Sequence, residues 1–371
     1  MIKTSALEWV LGYKSRAEGI CPNTYTADYS LLDLMNKGYI DREEGTQFLE
    51  NHELKDFFWQ LTWPEDYETP DDYLVQSIDD AEGYNIFVHG WTGNHLIWEL
   101  LPGMVVTKNR QLVSISIDHN GFGTSLFSTS TPKLETCNPP AAAKALTEWT
   151  NLVKIRRQPG DTRRKVLNFV GHSMGGATLF YLNPMFWSYG EVTRYALAPA
   201  LLLDDDIHRA FYTTLGIGIG ILQRIPRLEF IERLVKPTIL KQLTTGSSEE
   251  VKKLHAAQYD ETPRGITGAT FMAMGRLEDW EIARDWDLFR VMLGHRDPLV
   301  GLLDMMDLLG ELEFPVAHVR VVAGSHYMFS VGIESPTNAF SHAQAREIVV
   351  DDLIALHNTA MEKQKTGQRF G

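Results

Sequence analysis

Cysteine is almost missing from this sequence: 371 residues contain only Cys21 and Cys137. The two stand far apart without metal-ligand spacing and read as free thiols in a reducing compartment. Clustered positive charge is also missing. The net charge is −13 and no Lys or Arg run occurs, which argues against a nucleic-acid partner, whose binding would rest on neutralising phosphates. No apolar run approaches the roughly 20 residues of a membrane span. Glu8, Lys14 and Arg16 interrupt the opening segment where a signal peptide would keep its apolar core, so the chain is expected to be cytoplasmic. It also has no H-E-x-x-H, no cysteine cluster and no calcium loop, so no metal and no cofactor are expected.

What is present centres on residues 165–180. Val166 to Val170 form a run of strand length that stops at Gly171, and beyond Gly176 the residues Ala177, Leu179, Phe180 and Leu182 recur as in a helix entering a core. Between them lies G-x-S-x-G, with Ser173 at its centre. A turn this tight presses the backbone on either side of the serine against its neighbours and leaves no room for Cβ atoms at Gly171 and Gly175. It exposes the hydroxyl at the start of a helix, where unpaired N–H groups and the helix dipole favour developing negative charge.

Strand, loop and helix repeat around this stretch. Residues 85–88 read as a short buried strand ending in His89-Gly90-Trp91-Thr92-Gly93-Asn94, with a helix expected over 95–101. Residues 112–117 read as a second strand, ending in the loop Asp118-His119-Asn120-Gly121-Phe122-Gly123, before a Pro140-led helix to about 155. A further strand is expected over 193–197. Such repetition predicts a parallel sheet. Residues 1–80 form an N-terminal extension with helical pieces near 31–35 and 42–49 and possible outer strands at 57–63 and 73–78. Residues 199–286 lack strands and show helical spacing, for example Leu228, Ile231, Leu234 and Val235, then Phe271, Met272, Met274 and Leu277; they read as an inserted lid. The sheet resumes over 288–293 and 318–322, and a last helix covers 343–361. The sheet-forming core is therefore 81–198 with 287–371.

Two loops after the resumed strands carry the remaining chemistry: Gly294-His295-Arg296-Asp297-Pro298-Leu299-Val300 and Ala323-Gly324-Ser325-His326. Carboxyl ends of parallel strands face one crevice, so Ser173, Asp297 and His326 are expected to converge there. The order nucleophile, acid, histidine is one this architecture uses. With H-G-W at 89–91, D-x-x-G-x-G at 118–123, G-H-S-M-G-G at 171–176, G-x-x-D-P-L-V at 294–300 and the His326 loop, the chain resembles the α/β-hydrolase superfamily, in its serine-nucleophile branch, over roughly residues 84–357.

The resemblance implies an α/β-hydrolase fold, a mostly parallel doubly wound sheet with a helical lid inserted between strands six and seven. It implies Ser173 as nucleophile, His326 as general base and then acid, Asp297 as the residue that holds the imidazole, and the backbone N–H groups of Trp91 and Met174 as the oxyanion hole. These roles fit the chemistry. A serine hydroxyl stays protonated near neutral pH and needs a base within reach, and the base needs an anionic partner to fix its tautomer. Ser325 stands where the family often has glycine, and the first 80 residues exceed the usual lead-in.

Other residues weigh less. Asp204-Asp205-Asp206 follows strand six, where some relatives carry the acid, and reads as a solvated helix start. His295 reads as a loop residue, and His89 and His172 as braces. Gly216, Gly218 and Gly220 lack a preceding strand and suit close packing or a hinge in the lid better than a nucleotide loop. The function expected is cleavage of a carboxylic ester or related acyl bond, with no cofactor. The Leu, Ile, Phe and Met content of the lid favours an apolar or amphipathic small-molecule substrate. An acyltransferase or a carbon–carbon hydrolase would use the same three residues, and a slow-turnover ligand sensor would retain them.

Overall fold

A computed structural model of the protein describes residues 21, 24–65, 81–153, 165–187, 191–201, 206–224, 237, 240–241, 244–263, 265–277, 281–330 and 340–366. The strands are β1 (Thr24–Ser30), β2 (Phe58–Pro64), β3 (Gly83–Val88), β4 (Leu112–Ile117), β5 (Val166–His172), β6 (Val192–Leu197), β7 (Phe289–Gly294) and β8 (Val319–Val322). They form one sheet in the order β1-β2-β4-β3-β5-β6-β7-β8. From β4 to β8 every pairing is parallel, whereas β1 and β2 join antiparallel at the edge. This is the α/β-hydrolase arrangement, with a helical insertion between β6 and β7.

The central strands are buried on both faces, which is why they read as near-continuous apolar runs rather than alternating ones. Their few polar residues align into a row. Ser114, Asn85, Asn168 and Thr193 stand opposite one another in register. The Asn168 amide donates to Asn85 Oδ1 at 3.0 Å and Thr193 Oγ1 donates to Asn168 Oδ1 at 2.8 Å. A one-residue slip would strand these groups in the core, so the row fixes register as well as filling space.

Helices α1 (Leu31–Asn36) and α2 (Arg42–Asn51) occupy the lead-in, followed by α3 (Leu101–Lys108), α4 (Pro139–Leu152) and α5 (Met174–Tyr181). The insertion contains α6 (Asp206–Arg224), α7 (Glu249–Glu261) and α8 (Ile266–Met274); α9 (Leu302–Glu311) and α10 (Phe340–Thr366) follow. The first of these pieces match the helices expected near 31–35 and 42–49. Expectation and structure part at three places. Residues 95–98 form a 3-10 turn rather than the start of a helix, because Glu99 turns to φ 50° and α3 begins afresh at Leu101 with Pro102 in its first turn. Pro139, not Pro140, opens α4, capped by the Asn138 side chain accepting from the Ala141 N–H at 2.9 Å. The third is β1, which carried no expectation. The strand expected at 73–78 and the lid residues Leu228, Ile231, Leu234 and Val235 lie outside the described residues.

Helices α6 and α8 of the insertion pack with little side chain between them. A Cβ on Gly216 would meet Met272 Cγ at 2.5 Å, and one on Gly268 would meet the Gly216 carbonyl and the Gly220 N–H at 2.8 Å. Gly216 and Gly220 are therefore contact residues. Gly218 faces open space.

Candidate active site

Ser173 follows β5 with φ 54° and ψ −116°, a conformation that a side-chain-bearing residue adopts at a cost on the order of 1–3 kcal/mol. Neighbours enforce it. A Cβ at Gly171 would collide with the Gly175 carbonyl, and one at Gly175 would collide with the carbonyls of Val88 and His89. The Ser173 N–H donates to the Leu197 carbonyl at 3.0 Å, and its own carbonyl accepts from Ala177 and Ala200 at 2.9 Å. The same contacts push the β3 loop against the start of α5, for a Cβ on Gly90 would lie 2.9 Å from Ser173 Cβ. Trp91 and Met174 thus sit on two segments that meet beside the serine. Met174 opens α5, so its N–H belongs to the turn that has no intrahelical partner.

Asp297 and His326, on the loops after β7 and β8, are hydrogen-bonded: His326 Nδ1 lies 2.8 Å from Asp297 Oδ2. Asp297 Oδ1 accepts from the N–H groups of Leu299 at 2.9 Å and Val300 at 3.1 Å. Burial alone would raise the pKa of this carboxyl. The His326 charge and hydrogen bond, helped by the two N–H groups, outweigh it and hold Asp297 below the usual carboxylate range. His326 is 1% exposed, and its Nε2 has no hydrogen-bond partner. With Nδ1–H committed to the carboxylate, Nε2 is left as an acceptor.

Neutral histidines surround this pair. His172 donates Nε2–H to the His326 carbonyl at 3.0 Å, and its ring lies 4.7 Å from that of His326. His89 donates Nδ1–H to the Gly90 carbonyl at 2.7 Å and accepts from the His119 N–H at 3.0 Å, while His119 Nε2–H donates back to the His89 carbonyl at 2.8 Å. Burial lowers the pKa of His89 to about 4 and of His119 to about 3, and pushes that of His172 well below its usual value. Asp118 closes the neighbouring loop by accepting from the backbone N–H groups of His95 at 2.7 Å and Thr124 at 2.8 Å, and its Oδ1 lies 2.9 Å from His95 Nδ1. His295 is exposed. Asp206 begins α6; Asp204 and Asp205 lie outside the described residues.

The insertion brings residues to the site that carried no local signal in the sequence. On α7 the buried stripe is Val251, Leu254, His255, Gln258 and Tyr259, an amphipathic spacing with two polar members. The His255 ring packs 4.0 Å from that of Tyr327, tilted by 48°, next to His326. Gln258 donates to Asn94 Oδ1 in the loop after β3. The Trp91 indole donates to the Thr267 carbonyl at 3.1 Å and packs on Phe271 and Tyr259. Ser325 gains a role that glycine could not fill: its hydroxyl donates to the lid carbonyl of Thr245 and lies 3.1 Å from His342 Nε2. Among the described residues no group of three or more His, Cys, Asp or Glu side chains could hold a metal ion, and no helix is long and apolar enough to cross a membrane. Both cysteines are free and buried.

A parallel sheet with a serine turn, a carboxylate and a histidine on loops at its carboxyl edge, under a helical insertion, defines the architecture of an α/β hydrolase. The chain belongs to the alpha/beta hydrolase family, whose model matches residues 86–343. No curated protein sequence matches this chain significantly. Among solved structures it resembles an esterase from Exiguobacterium antarcticum, at 14% identity and a TM-score of 0.53 over 75% of this chain and 93% of that one. It also resembles a bromoperoxidase from Bacillus anthracis, at 13% identity and a TM-score of 0.54 over 81% of this chain and 96% of that one. At such identities the likeness is one of fold.

Proposed function

We propose that the protein is a serine hydrolase that cleaves a carboxylic ester or related acyl bond through an acyl-Ser173 intermediate. The observation that carries this reading is the state of His326: Nδ1 is bound to a charged, well-anchored carboxylate at 2.8 Å while the buried Nε2 is bare. Ser173 Oγ attacks the acyl carbon as His326 Nε2 takes its proton. The tetrahedral oxyanion accepts from the N–H groups of Trp91 and Met174, each donor contributing about 100-fold to 1000-fold in rate. Collapse breaks the bond to the leaving group, which departs with the proton from His326. Water then repeats both transfers on the acyl-enzyme, releasing the acid and restoring the serine. Residues 199–286 act as the lid over these steps.

Intact-mass measurement after exposure to a fluorophosphonate, beside hydrolysis of p-nitrophenyl esters of graded chain length, tests this reading. A single adduct and turnover are expected in the wild type. Both vanish in Ser173→Ala, with a rate loss on the order of 10⁶-fold. Turnover retained at the wild-type level in Ser173→Ala refutes the nucleophile.

A further inference from the structure

Among the described residues of the insertion, three side chains that adjoin the catalytic loops present buried polar atoms with no hydrogen-bond partner, as Ser247 Oγ does elsewhere in it. Gln258 gives its amide N–H to Asn94 Oδ1, an oxygen that also accepts from the Leu96 N–H, so the orientation of the Gln258 amide is fixed and Oε1 points away. That Oε1 is buried without a partner. So are His255 Nε2, one turn earlier on the same face of α7, and Thr267 Oγ1 in the first turn of α8. The three residues are 4%, 2% and 0% exposed. Buried polar atoms are nearly always paired, and leaving three unpaired beside the catalytic loops is costly unless a ligand completes them.

Their position says which ligand they serve. Gln258 and Thr267 bond to the loop that carries Gly90 and Trp91, and the His255 ring packs against that of the residue after His326. The three residues therefore lie against the two loops on which the acyl group would react, as a roof to them. We infer that His255, Gln258 and Thr267 form a substrate subsite that binds an uncharged hydroxyl group carried by the acyl compound. The inference rests on the acyl-Ser173 reading and narrows the apolar or amphipathic substrate expected from lid composition to an amphipathic, hydroxylated one. A hydroxyl donates to the Gln258 oxygen and accepts from the Thr267 hydroxyl or from His255. The subsite offers no cation to an anionic substrate, because burial lowers the His255 pKa to about 3 and the imidazole stays neutral. A site built to bond a hydroxyl rejects the analogue that lacks it.

The test pairs esters that differ only in a hydroxyl: p-nitrophenyl butanoate and hexanoate against their 3-, 4- and 6-hydroxy forms, and propyl butanoate against glycerol monobutanoate. Thermal stabilisation of Ser173→Ala by each ester reads binding whether or not the protein turns over, so failure of the hydrolase reading is scored separately by the wild type. At least one hydroxylated ester is expected to bind Ser173→Ala, and to react with wild type, about tenfold better than its parent. The preference is expected to fall to within twofold in Gln258→Leu, and also in Thr267→Val, which removes only the hydroxyl and leaves the carbonyl that holds Trp91. Equal or weaker binding of every hydroxylated ester overturns the inference, as does a preference that survives both substitutions.

Discussion

In the loops at the carboxyl edge of the sheet, Asp118 and Asp297 each hold three hydrogen-bond donors, and His89, His119 and His172 each bond to backbone. Across the site, on the buried faces of α7 and α8, His255 Nε2, Gln258 Oε1 and Thr267 Oγ1 have none. The carboxylates and ring orientations of the floor are fixed by its own backbone before any ligand arrives, although His326 Nε2, His172 Nδ1 and His119 Nδ1 stay unpaired there, whereas the three polar side chains of the roof gain these partners only when something binds. Chemistry that is the same for every acyl group belongs on the first surface. Choice among acyl groups belongs on the second.

The largest effect expected breaks the floor. Asp297→Asn keeps the side chain's shape but donates where it must accept, and it removes the anion that stabilises the imidazolium. On the acyl-Ser173 reading, kcat is expected to fall about 10⁴-fold, near 5.5 kcal/mol, with KM changed far less. A loss under tenfold would assign the acid elsewhere. Substitutions on the roof should show the opposite split, moving substrate preference while p-nitrophenyl acetate, too short to reach it, is cleaved at an unchanged rate.

Acid tests both surfaces together. The folded pKa values of His89, His119 and His255 lie at about 4, 3 and 3, below the ordinary imidazole value because burial disfavours the cation. Below about pH 6.5 the unfolded chain therefore binds more protons than the native one, so this contribution to stability is full above that pH and is lost as pH falls. Between pH 6.5 and 5.5 each of the three contributes about 1 kcal/mol, so together they are expected to take about 3 kcal/mol from the unfolding free energy read by urea titration, to which buried His172 and His357 add. His255→Leu should reduce the drop by about 1 kcal/mol. An unchanged pH slope in the variant would show that the roof histidine is not held neutral.

How far these surfaces could be read from sequence follows the same division. The elbow was legible because its constraint is local: Gly171 and Gly175 sit two residues from Ser173, and backbone collisions dictate them. The loops bearing Asp297 and His326 were legible because each ends a strand of recognisable composition, and sheet topology carried the inference that they meet. Strand β1 was not, since Thr24–Ser30 is a half-exposed edge with no buried stripe. His255 and Gln258 were invisible for a different reason. Their meaning depends on which face of a lid helix folds over which loop, and no spacing within 249–261 states that. Asp118-His119 occupied a motif already noted, yet the exchange of bonds between His119 and His89 joins residues 30 apart.

Within the insertion, two glycines one half-turn apart sharpen the contrast between contact and idle positions. Gly216→Ala drives a methyl into Met272 and the Gly268 carbonyl, and is expected to destabilise the α6–α8 contact by about 1–2 kcal/mol. Gly218→Ala meets nothing and should stabilise the helix by up to about 1 kcal/mol. Hydrogen exchange in residues 206–224 and 266–274 reads both, and equal responses would show that α6 and α8 are not packed in solution.

The smallest effect tests how the roof reaches the floor. Trp91 belongs to the floor, but its indole N–H is held by the Thr267 carbonyl, and its ring lies 4.8 Å from that of Phe271. Trp91→Phe keeps most of the aromatic packing and deletes that single bond, worth about 1 kcal/mol. If the lid steadies the loop that presents the Trp91 N–H to an oxyanion, kcat should fall about fivefold for every ester, long or short, because the donor is common to all of them. If the bond serves only to hold the lid closed, the loss should grow with acyl length and disappear for p-nitrophenyl acetate. A uniform loss would make the roof part of the catalytic geometry, and a graded one would confine it to selection.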